Sequence, residues 1–227
     1  MSTLKIIAKI HTDFKEKFGI PRQSGILDEL VGKIVFEPEY RRPEAFKGLE
    51  GYSHLWIIWQ FSEAVREGWS PTVRPPRLGG NKRIGVFATR SPYRPNPIGL
   101  SSVKIEKIEL NGKDGPVIYV KGADMLDGTP IYDIKPYLPF TDSHPDAVGG
   151  FADEVKEYKA EVVFPEELLN KVDTGEQKSL ITILENDPRP SYKREATGSY
   201  GMSFSKYEVA FKAEDGRIIV TDVTVKD

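Results

Sequence analysis

Apolar and polar residues alternate with a period of two along most of this 227-residue chain, and that pattern constrains the fold more than any single motif. It is clearest in LKIIAKI (4–10), GKIVF (32–36), IGVFA (84–88), SVKIEKIEL (102–110), PVIYVKG (116–122), YKAEVVF (158–164), FSKYEVAF (204–211) and RIIVTDVTV (217–225). Period two places successive side chains on opposite faces of a strand, so each segment reads as a half-buried β-strand. Turn formers such as NGKDG (111–115) and EDGR (214–217) punctuate the strands. Many short, irregularly spaced strands predict a mainly β fold, a barrel or sandwich, and not a repeating strand–helix fold.

Helices are expected to be few. SEAVREG (62–68) reads as two turns ending at Gly68, and FPEELLNKVDTGEQKSLITILEND (164–187) is the one extended helical region. Pro165 suits a first helical position, and Thr174 with Gln177 fits a capping box for a second helix. Near residues 141–153, TDSHPDAVGGFADE mixes turn formers and acids with little apolar content, as a linker does. This divides the chain into a mainly β domain over 1–145 and a smaller α+β domain over 150–227.

The apolar fraction of 39% suits a packed core. Absence of cysteine excludes disulfides, thiolate catalysis and cysteine-bound metals, and fits a reducing cytoplasm. The N-terminus has no apolar stretch of signal-peptide length, and HLWIIWQF (54–61) is far too short to span a bilayer. A cytoplasmic protein without membrane contact is expected. With three histidines and no cysteine, a metal site lacks ligands at supporting spacings, so none is expected. Glycine-rich dinucleotide loops, a Walker lysine and a nucleophile elbow are all missing from the sequence.

Net charge is −2, yet residues 68–105 contain no Asp or Glu while holding Arg74, Arg77, Lys82, Arg83, Arg90, Arg94 and Lys104. A basic stretch in an acidic protein points to an anionic or nucleic-acid partner, the alternative being a surface ribbon without a role. Within it, ATRSPYRPNPIGLSS (88–102) is stiffened by three prolines. FGIPRQSG (18–25), GYSHLWIIW (51–59) and DMLDGTPIYDIKPYLPF (124–140) are the other segments rich in polar groups between strands. Proline fixes φ, so donors and guanidinium groups are aimed without a large ordering cost. Arginine recognises planar anions and stacks on flat rings, and the amides of Gln23 and Asn96 are suited to base edges. Taken singly, Pro21 and Gly25 read as shaping a hairpin, Asp127–Gly128 as a turn, and His54 as filling a partly buried place.

Together EKFGIPRQSG, LEGYSHLWI, GWSPTVRPPRLGGNKRIGVFATRSPYRPNPIGLS, LDGTPIYDIKPYLPF and NDPRPSYKR resemble the TsaA-like family, over nearly the whole chain. Its TrmO-type members are tRNA methyltransferases acting on threonylcarbamoyl-adenosine beside the anticodon. The resemblance implies a TsaA-like β-barrel that binds S-adenosylmethionine without a Rossmann fold, and a homodimer. It implies cofactor contacts at Pro21, Arg22, Gln23, His54, Leu55, Arg90, Leu100, Asp127, Gly128 and Thr129. In that light Asp127 is a partner for a cationic or hydroxyl part of the cofactor, and Arg90 for its carboxylate or adenine. The acid-free window would meet tRNA phosphates, and Tyr93, Tyr137 or Tyr192 would stack on a splayed base. Arg94 or Lys135 would bind the threonyl carboxylate, with Asn96 near the base. Arg189, Lys193 and Arg194 of DPRPSYKR would add RNA contacts. A proton acceptor stays open between Asp133, His54 and solvent. The family's usual Arg-Ser-Pro-aromatic run is replaced here by HTDF (11–14), which leaves that loop without an assigned role. The readings set against this one are a non-catalytic RNA-binding barrel and a same-fold methyltransferase with another acceptor.

Overall fold

The computed structural model describes residues 4–21, 24–25, 30–75, 82–155, 159–189 and 196–226. In chain order the first strands are β1 (Ala8–His11), β2 (Val31–Phe36), β3 (His54–Gln60), β4 (Thr72–Val73), β5 (Ile84–Gly85), β6 (Ile98–Gly112), β7 (Gly115–Lys121) and β8 (Thr129–Pro136). Six of them close into an antiparallel barrel in the order β1-β2-β7-β6-β3-β8, while β4 and β5 form a separate two-stranded hairpin. Closure removes every edge, and with it the exposed ladders that promote aggregation.

Alternation along β3 shows how the sequence builds the wall. Leu55, Ile57 and Trp59 turn inward and are buried, whereas His54, Trp56 and Ile58 are half-exposed. With Ile10, Ile34, Val103, Ile118, Met125 and Ile131 they form the barrel core. β6 serves two neighbours: residues 98–104 pair with β3, and 104–112 pair with β7. Register shifts after Ile105 and Glu109 let this strand turn the corner, as bulges do where a sheet bends shut.

Beyond a short helix α1 (Pro139–Asp142) lies the second unit: β9 (Glu161–Val163), α2 (Glu166–Leu169), α3 (Thr174–Glu185), β10 (Gly198–Phe204), β11 (Tyr207–Glu214) and β12 (Arg217–Val225). Its sheet runs β10-β11-β12-β9, with β9 parallel to β12. Leu180, Ile183 and Leu184 of α3, at helical spacing, pack onto Phe204, Tyr207, Val209, Phe211, Ile218 and Val220. This core also contains a residue from the far end of the chain. Phe14, in the connection after β1, is 3% exposed and belongs to it, with Phe18 stacked on Phe211.

The expected sequence elements need several corrections. Only Ile84–Gly85 of IGVFA is strand; Val86–Ala88 is a 3-10 turn, and SEAVREG gives only a 3-10 turn over Ser62–Ala64. The segment 204–211 straddles a hairpin whose turn is Ser205–Lys206, with Ser205 at φ +53°. No capping box forms: Asp173 occupies the N-cap, and Gln177 reaches back to donate to the carbonyls of Leu169 and Val172.

Candidate active site

A cavity of about 770 Å³ opens where the 89–97 loop and the chain after β1 meet the barrel wall. Its wall is laid by Trp56 and Trp59 of β3 and by Ile98–Ser101 of β6. Asp124, Leu126 and Thr129 close one side, and Lys17, Ile20 and Pro21 the other. Thr89, Arg90, Tyr93, Arg94 and Asn96 form the rim. Among the described residues no group of three or more His, Asp or Glu side chains is placed to hold a metal ion.

The wall depends on one close approach. A Cβ added at Gly99 would lie 2.2 Å from the Trp59 ring, so only glycine lets the indole lie flat against β6. Trp59 Nε1 then donates to Ser101 Oγ at 2.9 Å, and that hydroxyl donates to Asp124 Oδ1 at 2.6 Å. Burial pushes the Asp124 carboxyl above its ordinary value, opposed by the bonds from Ser101 and its own N–H, by the Arg90 charge and by the Ser24 N–H. Asp124 therefore ties the backbone at Ser24, Ser101 of β6 and an exposed arginine to one point of the cavity. Sequence reading passed it over for its neighbour Asp127. The available signal was a lone carboxylate between small and apolar residues, GADM (122–125).

The proline-rich loop is rigid for a further reason. Thr89 Oγ1 donates to Val86 O, the Ser91 and Tyr93 N–H groups donate to Thr89 Oγ1 and Ser91 Oγ, and Arg94 Nη1 donates to Thr89 O at 3.0 Å. Arg94 thus gives one nitrogen to the loop's own backbone while lining the cavity. Arg90 and Asn96 remain exposed on the rim.

Of the expected cofactor contacts, Pro21, Arg90, Leu100 and Thr129 line the cavity, and Arg22 and Gln23 lie outside the described residues. Leu55 points into the barrel core and is fully buried, so its side chain faces away from any ligand. Asp127 is engaged elsewhere. It accepts from Thr12 N at 3.1 Å and from Lys15 Nζ at 2.7 Å, with His11 Nδ1 at 3.3 Å, and it anchors the chain after β1. Burial would raise its pKa, but the Lys15 and Thr12 bonds prevail and hold it below the carboxylate range. Gly128, at φ +76°, makes the turn that follows and donates to Ile10 O.

The remaining expected contacts scatter. His54, its Nδ1 2.8 Å from Ser53 Oγ, lies beside Tyr137, which packs on Trp56 in a strip on the outer barrel face. Lys135 and Asp133 pair with each other at 3.2 Å outside the cavity, which removes Asp133 and His54 from its lining. Arg189 has no exposed surface: its fork grips Asp187 at 2.9 and 3.0 Å, and it reaches Ala196 O and the Tyr200 ring. It is an interior clamp, not an RNA contact. Tyr192, Lys193 and Arg194 lie outside the described residues.

Known proteins carry both units in the same order. Residues 9–143 match the tRNA-methyltransferase O N-terminal domain and residues 157–226 the TrmO C-terminal domain. The chain is 41% identical over 217 residues to the tRNA (adenine(37)-N6)-methyltransferase of Escherichia coli K12, covering 92% of each. It is 46% identical to the enzyme of that name from Eikenella corrodens, over 76% of this chain and 97% of that one. A crystal structure of TrmO from Pseudomonas aeruginosa superposes with a TM-score of 0.77 at 31% identity, covering 99% of this chain and 97% of the other. A closed barrel, the α+β unit that follows it, and the match of both along nearly the full length show that this chain belongs to the TrmO family of tRNA methyltransferases.

Proposed function

We propose that the chain transfers a methyl group from S-adenosylmethionine to the exocyclic N6 of adenine 37 in tRNA, within the cavity bounded by Asp124 and Arg90, when that base carries a threonylcarbamoyl group. Reaction and cofactor follow from the family and from relatives named for them. The threonylcarbamoyl group, a homodimeric assembly and a cytoplasmic setting are further parts of the proposal. The observation that carries the site is the cavity itself. Its volume of about 770 Å³ suits a small-molecule site, for which about 300–1,000 Å³ is usual. Its walls also match the cofactor's chemistry. Trp59, Ile98 and Leu100 offer apolar surface to a purine, Asp124 can accept from an ammonium or a ribose hydroxyl, and Arg90 can pair with a carboxylate.

S-adenosylmethionine supplies an electrophilic methyl group. The protein's share is alignment, because in-line displacement is sensitive to small errors in the position of the attacking nitrogen. The hydrogen-bonded 89–97 loop holds the rim, and the Trp59–Ser101–Asp124 chain holds the wall. Arg90 belongs at the carboxylate end, since its charge would repel a sulfonium.

The test is transfer from labelled S-adenosylmethionine to tRNA pools with and without the threonylcarbamoyl group, using the wild-type chain and Arg90→Ala. Incorporation into the modified pool alone, with roughly tenfold weaker cofactor binding in the variant for one lost charged hydrogen bond, is expected. Incorporation into both pools would remove the threonylcarbamoyl requirement. Cofactor binding without incorporation would point to another acceptor, and failure to bind cofactor would favour a non-catalytic RNA-binding barrel.

A further inference from the structure

Next to the cavity, the connection that carries β4 and β5 presents aromatic rings that are exposed among the described residues. Trp69 is 53% exposed and Phe87 72%, with ring centroids 5.9 Å apart and planes inclined by 33°. Tyr93, 43% exposed on the cavity rim, has the Arg66 guanidinium 4.0 Å above one face. Large apolar side chains grouped in the open mark a binding surface. The charge around them is predominantly positive, with Glu67 the exposed acid beside Trp69 in sequence. Arg74, Lys82, Arg83 and Arg90 are exposed and, among the described residues, none of them forms an ion pair. Glu63, on the near side of the cavity, is neutralised by Lys17 at 2.9 Å.

We propose that Trp69 and Phe87 form a stacking platform for unpaired bases of the anticodon loop flanking the nucleotide that enters the cavity, with the surrounding cations on the phosphates. This rests on the tRNA reading above and adds a specific surface to it. Unpaired bases stack on aromatic faces whatever their identity, and adjacent guanidinium and ammonium groups track the backbone. A second copy of this chain fits the surface poorly. A two-fold contact would set a patch in which Arg66, Arg74, Lys82, Arg83 and Arg90 outnumber Glu67 against itself, so its net positive charge would repel. The position is also suitable, because Phe87 lies in the turn that leads into the stiff rim loop and Tyr93 lies within that loop.

The experiment compares Trp69→Ala, Phe87→Ala and the double variant with Trp69→Phe and Phe87→Tyr in the full-length chain. It measures tRNA binding, S-adenosylmethionine binding by calorimetry, and sedimentation. Each alanine should weaken tRNA binding roughly tenfold, the range of one lost base–aromatic stack, with cofactor affinity unchanged and the aromatic replacements close to wild type. Unchanged tRNA affinity in the double variant overturns the platform. So does dissociation of a dimer into monomers, which would assign the patch to a second copy. If the wild-type chain neither binds nor methylates tRNA, the underlying reading itself fails, a result separate from wild-type binding that the variants leave intact.

Discussion

Asp124 sits where burial works against its charge while three donors and one cation work for it. Its pKa is raised, so the folded chain keeps a proton that the unfolded chain has released. Stability contributed by such a group falls as pH rises from the ordinary carboxylate range through the raised value. Asp124→Asn keeps the shape and removes that loss. The variant should melt higher than wild type at neutral pH and converge with it in acid, while binding S-adenosylmethionine at least several-fold more weakly. Thermal melts across pH, paired with calorimetry, check both halves; a variant that is less stable at neutral pH contradicts the assignment. At this scale the sequence was a partial guide. Pro21, Arg90, Leu100 and Thr129 were named through the resemblance to the TsaA-like family, and all four line the cavity. What a guanidinium grips was not legible: Arg94 gives one nitrogen to Thr89 O, and Arg189 closes its fork on Asp187.

Short elements hold their ends by side chains that sequence patterns do not specify. After α3 the chain turns through Asp187, a buried residue at φ +48°, and the Arg189 fork secures that turn. Arg189→Met leaves a carboxylate buried without its cation and should cost about 3–5 kcal/mol, read as a shift of the urea midpoint. Arg189→Lys should not restore stability, because one ammonium cannot span both carboxylate oxygens. If the urea midpoint of Arg189→Met stayed at the wild-type value and only tRNA binding fell, the clamp would be the wrong description. Period-two alternation located most strands, yet the segment 204–211 was read through the Ser205–Lys206 hairpin; the three-residue step from buried Phe204 to buried Tyr207 breaks the period at the turn. The same pattern gave Val86–Ala88 a strand's appearance although the chain there coils tightly below the rim.

Across the whole molecule the connection after β1 is the joint. Thr12 and Lys15 bind Asp127 on the barrel, Phe14 enters the second core, Glu16 accepts from Ser203 Oγ at 3.1 Å, and Ile20 and Pro21 line the cavity. HTDF, which sequence comparison left without a role, supplies the anchors of this joint. Composition suggested a division near residues 141–153; the strap that carries Glu16 to Ser203 was not legible, because no local pattern encodes a contact across 187 positions. Phe14→Ala removes a buried ring and should cost about 3–5 kcal/mol. Calorimetry should show the wild type unfolding in one transition and the variant in two, with weaker cofactor binding; a single unshifted transition would show the units to be coupled elsewhere. The strap also sets an order of assembly during synthesis. Barrel strands are complete once residue 136 has emerged, whereas the aromatic pocket for Phe14 needs β10–β12, which end at Val225. A nascent chain can therefore close its barrel early, yet one wall of the cavity stays unanchored until the ribosome has delivered the strands that end at Val225.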